Sequence, residues 1–322
     1  MSKRRINKQQ RNRIEKIQAD YHRQLQNGTN TDHEEGLVLS RFGRHADIET
    51  STGEPIHCSI RPNIDSLVAG DRVVWQNEGE NHGVVLSRFP RQSELSRPDK
   101  RGINRPVAAN ITQLMIVTAV KPDLSWSLLD SYLIIAEHLR LKACIILNKV
   151  DLPCEDLKQQ LMEIYQPLGY PLLFLSCKQK PGHGQLDEHL QQQVSIFVGQ
   201  SGVGKSSIIA NILPFKTNIP IGAISEGSQL GRHTTSNSRL YHLPHGGDLI
   251  DSPGVREFCL WKMSAADIVY GFREFRSLTS LCKFRNCNHL DSPGCAILSQ
   301  VNEGRLSLQR YRNLLKILAQ NG

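Results

Sequence analysis

No apolar run in this 322-residue sequence approaches the roughly 20 residues that a membrane-spanning helix needs. The basic N-terminus, Met1 to Arg13, has no apolar segment behind it, which excludes a secretory signal and leads us to expect a cytoplasmic protein. In that compartment the eight cysteines stay reduced, so clustered ones point to metal ligation rather than disulfides. Acidic residues fall short of basic ones, 31 against 39, and the resulting net charge of +8 suggests an acidic partner without saying which. Hydrophobic content of 39% and charged content of 22% are those of a folded chain, long enough for two or three domains.

Residues 1–35 are rich in Asn, Gln, Lys and Arg, and read as a mobile basic arm. From Gly36 the texture changes to short apolar stretches, Gly36–Phe42, Pro55–Ile60, Asp71–Trp75 and Gly83–Phe89, separated by turn residues. Short strands at this spacing without helices indicate a small β-barrel or sandwich, and a five-stranded barrel of oligonucleotide-binding or SH3-like type fits the length. The first and last stretches echo each other, GLVLSRF and GVVLSRF, which predicts two similar strand environments. Ser87–Arg105 is polar and arginine-rich and reads as a linker or exposed loop. Beyond it, the apolar runs Leu114–Ala119, Ala143–Leu147, Leu172–Leu175, Val194–Val198 and Asp248–Ile250 alternate with amphipathic segments such as Leu128–Leu139 and Glu155–Tyr165. Continuous apolar runs suit strands buried on both faces of a parallel sheet, whose ligands bind at the strands' carboxyl ends.

The segment Gly199-Gln200-Ser201-Gly202-Val203-Gly204-Lys205-Ser206 follows one such strand and opens a predicted helix, Ser206–Leu213, whose Ser207 is a further candidate for the phosphates. Its glycines let successive N–H groups point at a phosphate, Lys205 brings charge to the β/γ oxygens, and Ser206 offers a hydroxyl to Mg²⁺. This says nucleotide but not which base. Asn148-Lys149-Val150-Asp151 supplies the base. A carboxylate only accepts hydrogen bonds, so Asp151 suits the N1–H and 2-amino group of guanine and is left unpaired against adenine. Asn148 braces the site, the stem of Lys149 covers the purine, and Ser176-Cys177-Lys178 completes the pocket through the Cys177 backbone N–H. Asp251-Ser252-Pro253-Gly254 fits an aspartate acting on Mg²⁺ with Gly254 turning its N–H to the γ-phosphate, and Thr234 of Gly231–Thr235 suits closure on the same ion. Three cysteines and a histidine, Cys282, Cys287, His289 and Cys295, fall in a short turn-rich segment and suit one structural Zn²⁺ with no position left open for water. It is flanked by predicted helices over Ala265–Leu278 and Leu306–Leu318, the latter with Leu308, Tyr311, Leu315 and Leu318 on one face and Arg310, Arg312 and Lys316 nearby.

The base-reading motif thus precedes the phosphate loop, the reverse of the usual order. In that order, with a barrel before and a Cys-Cys-His-Cys element after, the chain resembles the RsgA (YjeQ) family of circularly permuted GTPases. The resemblance implies an oligonucleotide-binding-fold barrel over 36–105 with its linker, a permuted α/β P-loop GTPase domain over 106–260, and a helical zinc domain over 261–322. It also implies GTP hydrolysis stimulated by the small ribosomal subunit, and binding to its rRNA late in subunit maturation, by a protein expected to be a monomer. Val255 stands where Ras-like enzymes carry a water-orienting glutamine, and valine cannot polarise water; the resemblance points instead to His233. Two other readings are a permuted assembly GTPase of the large subunit and an RNA-binding module using GTP only as a ligand. A P-loop kinase would leave Asn148–Asp151 without a role.

Overall fold

The structure is a computed structural model and describes residues 20–21, 23, 32–64, 66–79, 82–99, 102–178, 183–213, 238–252 and 263–321. His233, Thr234, Gly254 and Val255, and nearly all of the basic arm, lie outside them. The described chain forms two compact units.

The first unit opens with five strands, β1 (His33–Phe42), β2 (His45–Glu49), β3 (Pro55–Ile60), β4 (Arg72–Gly79) and β5 (His82–Arg88). They pair in the order β1-β2-β3-β5-β4, and β4 returns to β1, closing a barrel. All pairings are antiparallel except β3 with β5. Alternate residues point inward, so Val38, Ala46, Ile48, Cys58, Val73, Trp75 and Val85 make one core. The echoed sequences have a shared cause. A Cβ on Gly36 would stand 3.0 Å from the Trp75 indole, and one on Gly83 would stand 2.8 Å from it. Both glycines make room for the same buried ring.

Ser87–Arg105 departs from the linker reading. Glu94–Pro98 (β6) and Asn104–Ala109 (β7) form an antiparallel hairpin with buried Leu95 opposite buried Ala108. Composition misled because one of its arginines is an anchor rather than a surface charge. Arg91 holds both carboxylate oxygens of fully buried Asp71 at 2.7 Å and donates to Glu94 at 2.5 Å. Such forked pairing holds a guanidinium rigidly.

In the second unit β8 (Gln113–Ala119), α1 (Trp126–Leu139), β9 (Lys142–Asn148), α2 (Glu155–Tyr165), β10 (Leu172–Leu175), α3 (His183–Leu190), β11 (Val194–Val198) and α4 (Lys205–Ile212) follow one another. The strands lie parallel in the order β10-β9-β8-β11. Every residue of β8 and all but the first of β9 are buried, as continuous apolar runs require. The chain then passes through β12 (Arg239–His242) and β13 (Asp248–Asp251); β12 and the last three residues of β13 belong to the first unit, where β12 pairs with β1.

The C-terminal region belongs to the same compact unit as β8–β11. The single helix expected over Ala265–Leu278 is broken into α5 (Ala265–Tyr270), a 3₁₀ turn at Arg273–Phe275 and α6 (Arg276–Thr279). The break falls at Gly271, where a Cβ would stand 2.7 Å from Ile134 of α1, and it lets Phe272 and Phe275 stack in the core with centroids 5.1 Å apart. After α7 (Ala296–Asn302), the last helix α8 (Leu308–Asn321) packs Tyr311, Leu315 and Leu318 against the core as expected, but the face begins one turn later. Leu308 is exposed, and the buried positions are Arg310, Tyr311, Asn313, Leu314 and Ile317. Arg310 is buried because its guanidinium lies 2.5 Å from buried Asp130 of α1 and also pairs with Glu274 at 2.7 Å.

Candidate nucleotide site and metal centre

Three loops leave the carboxyl ends of β9, β10 and β11, and each carries a motif singled out in the sequence. Asn148, the last residue of β9, is buried and donates through Nδ2 to the Val203 carbonyl at 2.9 Å, across 55 residues of chain. That contact is also why position 204 is glycine. A Cβ there would sit 2.3 Å from the same Asn148 Nδ2, and Gly204 has φ of 99° at the start of α4. Gly199 is constrained likewise, with φ of 139° and a prospective Cβ 2.1 Å from the Val117 carbonyl oxygen. The base-reading and phosphate-loop segments are therefore fitted to each other at atomic contact. Lys149 adds a second tie, its ammonium donating to the carbonyls of Gly202 at 2.7 Å and Lys121 at 2.6 Å. Lys121, just past β8, is a partner that the sequence reading missed, since a backbone carbonyl leaves no mark in side-chain patterns.

Asp151 accepts a hydrogen bond from the Ser176 hydroxyl at 2.6 Å, and Lys178 Nζ lies 3.3 Å from its other oxygen. The Ser176 hydroxyl, with Lys178 assisting, holds the Asp151 carboxyl below the ordinary carboxylate range. An ionised, acceptor-only group is thus fixed at the rim. Cys177 lies between, and its thiol faces Asn148 Oδ1 at 3.8 Å; burial pushes this thiol's pKa up, which keeps it a neutral donor. In the phosphate loop, Lys205 Nζ is held by the carbonyls of Gly199 at 2.6 Å and Gln200 at 2.7 Å. Val203 is buried and anchors the loop, while Ser201, Ser206 and Ser207 are exposed. Asp251 ends β13 in the first unit.

Cys282, Cys287, His289 and Cys295 converge as expected, with all their ligand atoms within 4.8 Å of one another, and they can hold a metal ion. His289 has φ of 60°, and its carbonyl accepts from the Tyr311 hydroxyl of α8 at 2.7 Å. Burial pushes the Cys295 thiol up to about 11. Burial acts the same way on Cys287, but the backbone N–H of His289 and the Ser292 hydroxyl outweigh it and hold that thiol low.

This unit is knit together by the network on α8. Asp130 Oδ1 accepts from Arg310 at 2.5 Å and from the Tyr165 hydroxyl at 2.7 Å, and Oδ2 accepts from Asn313 at 2.6 Å. Burial pushes the Asp130 carboxyl up, opposed by the guanidinium and the two neutral donors. Beside it, Glu137 of α1 receives Arg273 at 2.7 Å and Arg276 at 2.5 Å. The segment bearing the metal ligands is thereby fastened to the first helix of the α/β sheet.

Comparison with known proteins agrees with this architecture. The model of the RsgA GTPase family matches residues 88–261. "Small ribosomal subunit biogenesis GTPase RsgA" of Haemophilus influenzae strain PittGG is 45% identical over 292 residues, covering 88% of this chain and 84% of that protein. The protein of the same name from Pectobacterium carotovorum subsp. carotovorum is 42% identical over 99% of this chain and 95% of its own length. The crystal structure of YjeQ from Thermotoga maritima superposes with a TM-score of 0.72 at 30% identity, over 90% of this chain and 98% of that one. YloQ, described as a circularly permuted GTPase, gives 0.71 at 28% identity over 90% and 95%. With matching motifs in permuted order, the same fold and relatives similar over most of its length, this chain belongs to the RsgA GTPase family.

Proposed function

We propose that this chain binds and hydrolyses GTP as a factor in biogenesis of the small ribosomal subunit, the process named in its relatives. The observation that carries the nucleotide site is the Asn148–Val203 hydrogen bond, which joins base-reading and phosphate-binding segments although their order along the chain is reversed. In this reading Asp151 takes the guanine N1–H and 2-amino hydrogens, Asn148 and Ser176 hold the pocket, the stem of Lys149 covers the base, and the Cys177 N–H meets the guanine oxygen. Gly199–Ser207 wrap the phosphates, with Lys205 on the β/γ oxygens and Gly254 turning to the γ-phosphate. Ser206, Thr234 and Asp251 would hold Mg²⁺, which when bound neutralises charge building between the β- and γ-phosphates.

Cys282, Cys287, His289 and Cys295 would hold one structural Zn²⁺. Cys282 Sγ and Cys295 Sγ stand 3.7 and 3.6 Å from His289 Nδ1; tetrahedral zinc spaces a thiolate and an imidazole nitrogen by about 3.6 Å. The division into a basic arm (1–35), barrel (36–105), permuted GTPase domain (106–260) and zinc domain (261–322) is retained for function. The protein acts as a cytoplasmic monomer that contacts rRNA; among the described residues no helix is long and apolar enough to cross a membrane.

With valine at position 255, His233 orients the attacking water and turnover is slow until the small subunit stimulates it. GTP turnover measured alone, with purified small subunits and with large subunits should rise only with the small ones. Equal rates in all three reject the reading, and stimulation by large subunits alone moves the factor to that particle. His233→Ala should abolish most of the stimulated rate while labelled GDP still binds.

A further inference from the structure

Three exposed histidines from three different strands meet on the outer face of the barrel, and none of the motifs above uses them. Alternation along the strands decides which side they take. Ala46, Ile48, Cys58 and Val85 point into the core, so His45 and Asp47 of β2, His57 of β3 and His82 of β5 point outward. Asp47 stands directly opposite His57, and His57 directly opposite His82. The His57 ring lies 5.1 Å from that of His45 and 6.3 Å from that of His82, centroid to centroid. Two imidazoles sharing one ion, with metal–nitrogen distances of about 2.0–2.1 Å, set their centroids about 5–6.5 Å apart. Asp47 prepares the central ring. Its Oδ1 accepts from His57 Nδ1 at 3.1 Å, and since a carboxylate can only accept, the neutral ring keeps the lone pair on Nε2. A carboxylate behind the ring is how metal-binding histidines are commonly oriented. Asp47 is itself fixed, its Oδ2 accepting from the Ser40 hydroxyl at 3.0 Å with Arg239 at 3.9 Å beyond.

We infer that His57 and His82, joined by His45, bind a late first-row divalent ion such as Zn²⁺, Ni²⁺ or Cu²⁺, with Asp47 positioning the central imidazole. Imidazole nitrogen selects these ions over Mg²⁺, which takes oxygen ligands. Among the described residues only the cysteine cluster has three or more donors already gathered. Here the His45 ring, whose plane lies 14° from that of His57, turns its nitrogen to the ion by a rotamer change open to an exposed side chain. Three imidazoles leave a position for water, unlike the closed set of Cys282, Cys287, His289 and Cys295. The ion clips β2, β3 and β5 together across the barrel's parallel pair, β3 with β5. No group in the site belongs to the guanine pocket or the cysteine cluster, so it stands apart from the function proposed above.

The test adds Ni²⁺ to the full chain, zinc-loaded and free of nucleotide, and follows binding by calorimetry and by paramagnetic broadening of the histidine ring signals in NMR. One Ni²⁺ should bind per chain, and His45, His57 and His82 should broaden first among the 12 histidines. His57→Gln/His82→Gln should abolish this binding. Asp47→Asn should weaken it about 10- to 100-fold while the same three rings still broaden first, since only their orientation is lost. A millimolar excess of Mg²⁺ should displace nothing. Ni²⁺ should also raise the thermal midpoint of the parent chain and leave that of the double variant where it was. Undiminished affinity in the double variant, broadening spread evenly over all histidines, or displacement by Mg²⁺ overturns the inference. Unchanged affinity in Asp47→Asn refutes the positioning role given to that carboxylate. Labelled-GDP affinity on the same samples reports separately on folding. Should the double variant fail to fold, His57→Gln alone serves, because that side chain is 49% exposed.

Discussion

Removing Arg310 should unfasten the metal-bearing segment from the α/β sheet, and the size of the effect follows from what it leaves behind. Arg310 is 1% exposed and spans two carboxylates, Asp130 at 0% and Glu274 at 8% side-chain exposure. In Arg310→Leu the side chain becomes apolar and shorter, and among the described residues Asp130 keeps only Tyr165 and Asn313 as donors. Breaking a buried ion pair from one side costs about 3–5 kcal/mol, and with two acids orphaned the upper end applies. Against a total stability of about 5–15 kcal/mol that is a large share. Urea denaturation followed by fluorescence suits this measurement, because Trp126 lies on α1 and stacks on Tyr165 with centroids 6.3 Å apart. The pH dependence sharpens the test. Burial already raises the Asp130 carboxyl in the folded chain, and losing the guanidinium raises it further. A carboxyl raised above its unfolded value of about 3.9 costs stability while ionised, and the cost disappears as pH falls through the folded value. The deficit of Arg310→Leu should therefore shrink from pH 8 towards pH 5, and Asp130→Asn/Arg310→Leu should recover part of it at pH 8. A loss below about 1 kcal/mol, or a deficit that widens on acidification, refutes the argument.

Two further outcomes follow from the sites themselves. Asp151→Asn replaces an acceptor-only group with one that also donates, so GDP binding measured by calorimetry should weaken about 10- to 100-fold, the equivalent of one or two charge-assisted hydrogen bonds, while xanthosine diphosphate binding improves. Metal uptake at Cys282, Cys287, His289 and Cys295 should release protons, because Cys295, pushed up to about 11, must lose its proton to ligate. Calorimetric titration of the chelator-stripped chain with Zn²⁺ in buffers of different ionisation enthalpy measures that release. Affinity should fall as pH falls, and Cys287→Ser should lower the thermal midpoint of the second unit.

Much of the candidate site was legible because its motifs are local. The glycines of the phosphate loop, Asn148–Asp151 and the four metal-ligand positions each lie within a short stretch, and backbone geometry over such distances is set by the residues themselves. The closed barrel was legible for a similar reason, since alternating inward residues need only short strands. What escaped was always a long-range partner. Arg91 looked like surface charge until Asp71 appeared opposite it. Arg310 read as the polar flank of an amphipathic helix, yet it is buried because Asp130, 180 residues earlier, demands a counter-charge. Leu308 lies outside, where periodicity had placed it on the face of Tyr311, Leu315 and Leu318, which do pack against the core. The same Arg310–Asp130 pair determines what the metal-bearing segment is held to. The segment bearing the metal ligands is pinned to α1 by Asp130 and Glu137, and α1 follows the β8 loop whose Lys121 carbonyl receives Lys149. The base-reading loop and the metal-bearing segment are therefore tied to neighbouring parts of one element, the first by a lysine–carbonyl contact before α1 and the second by ion pairs on α1 itself.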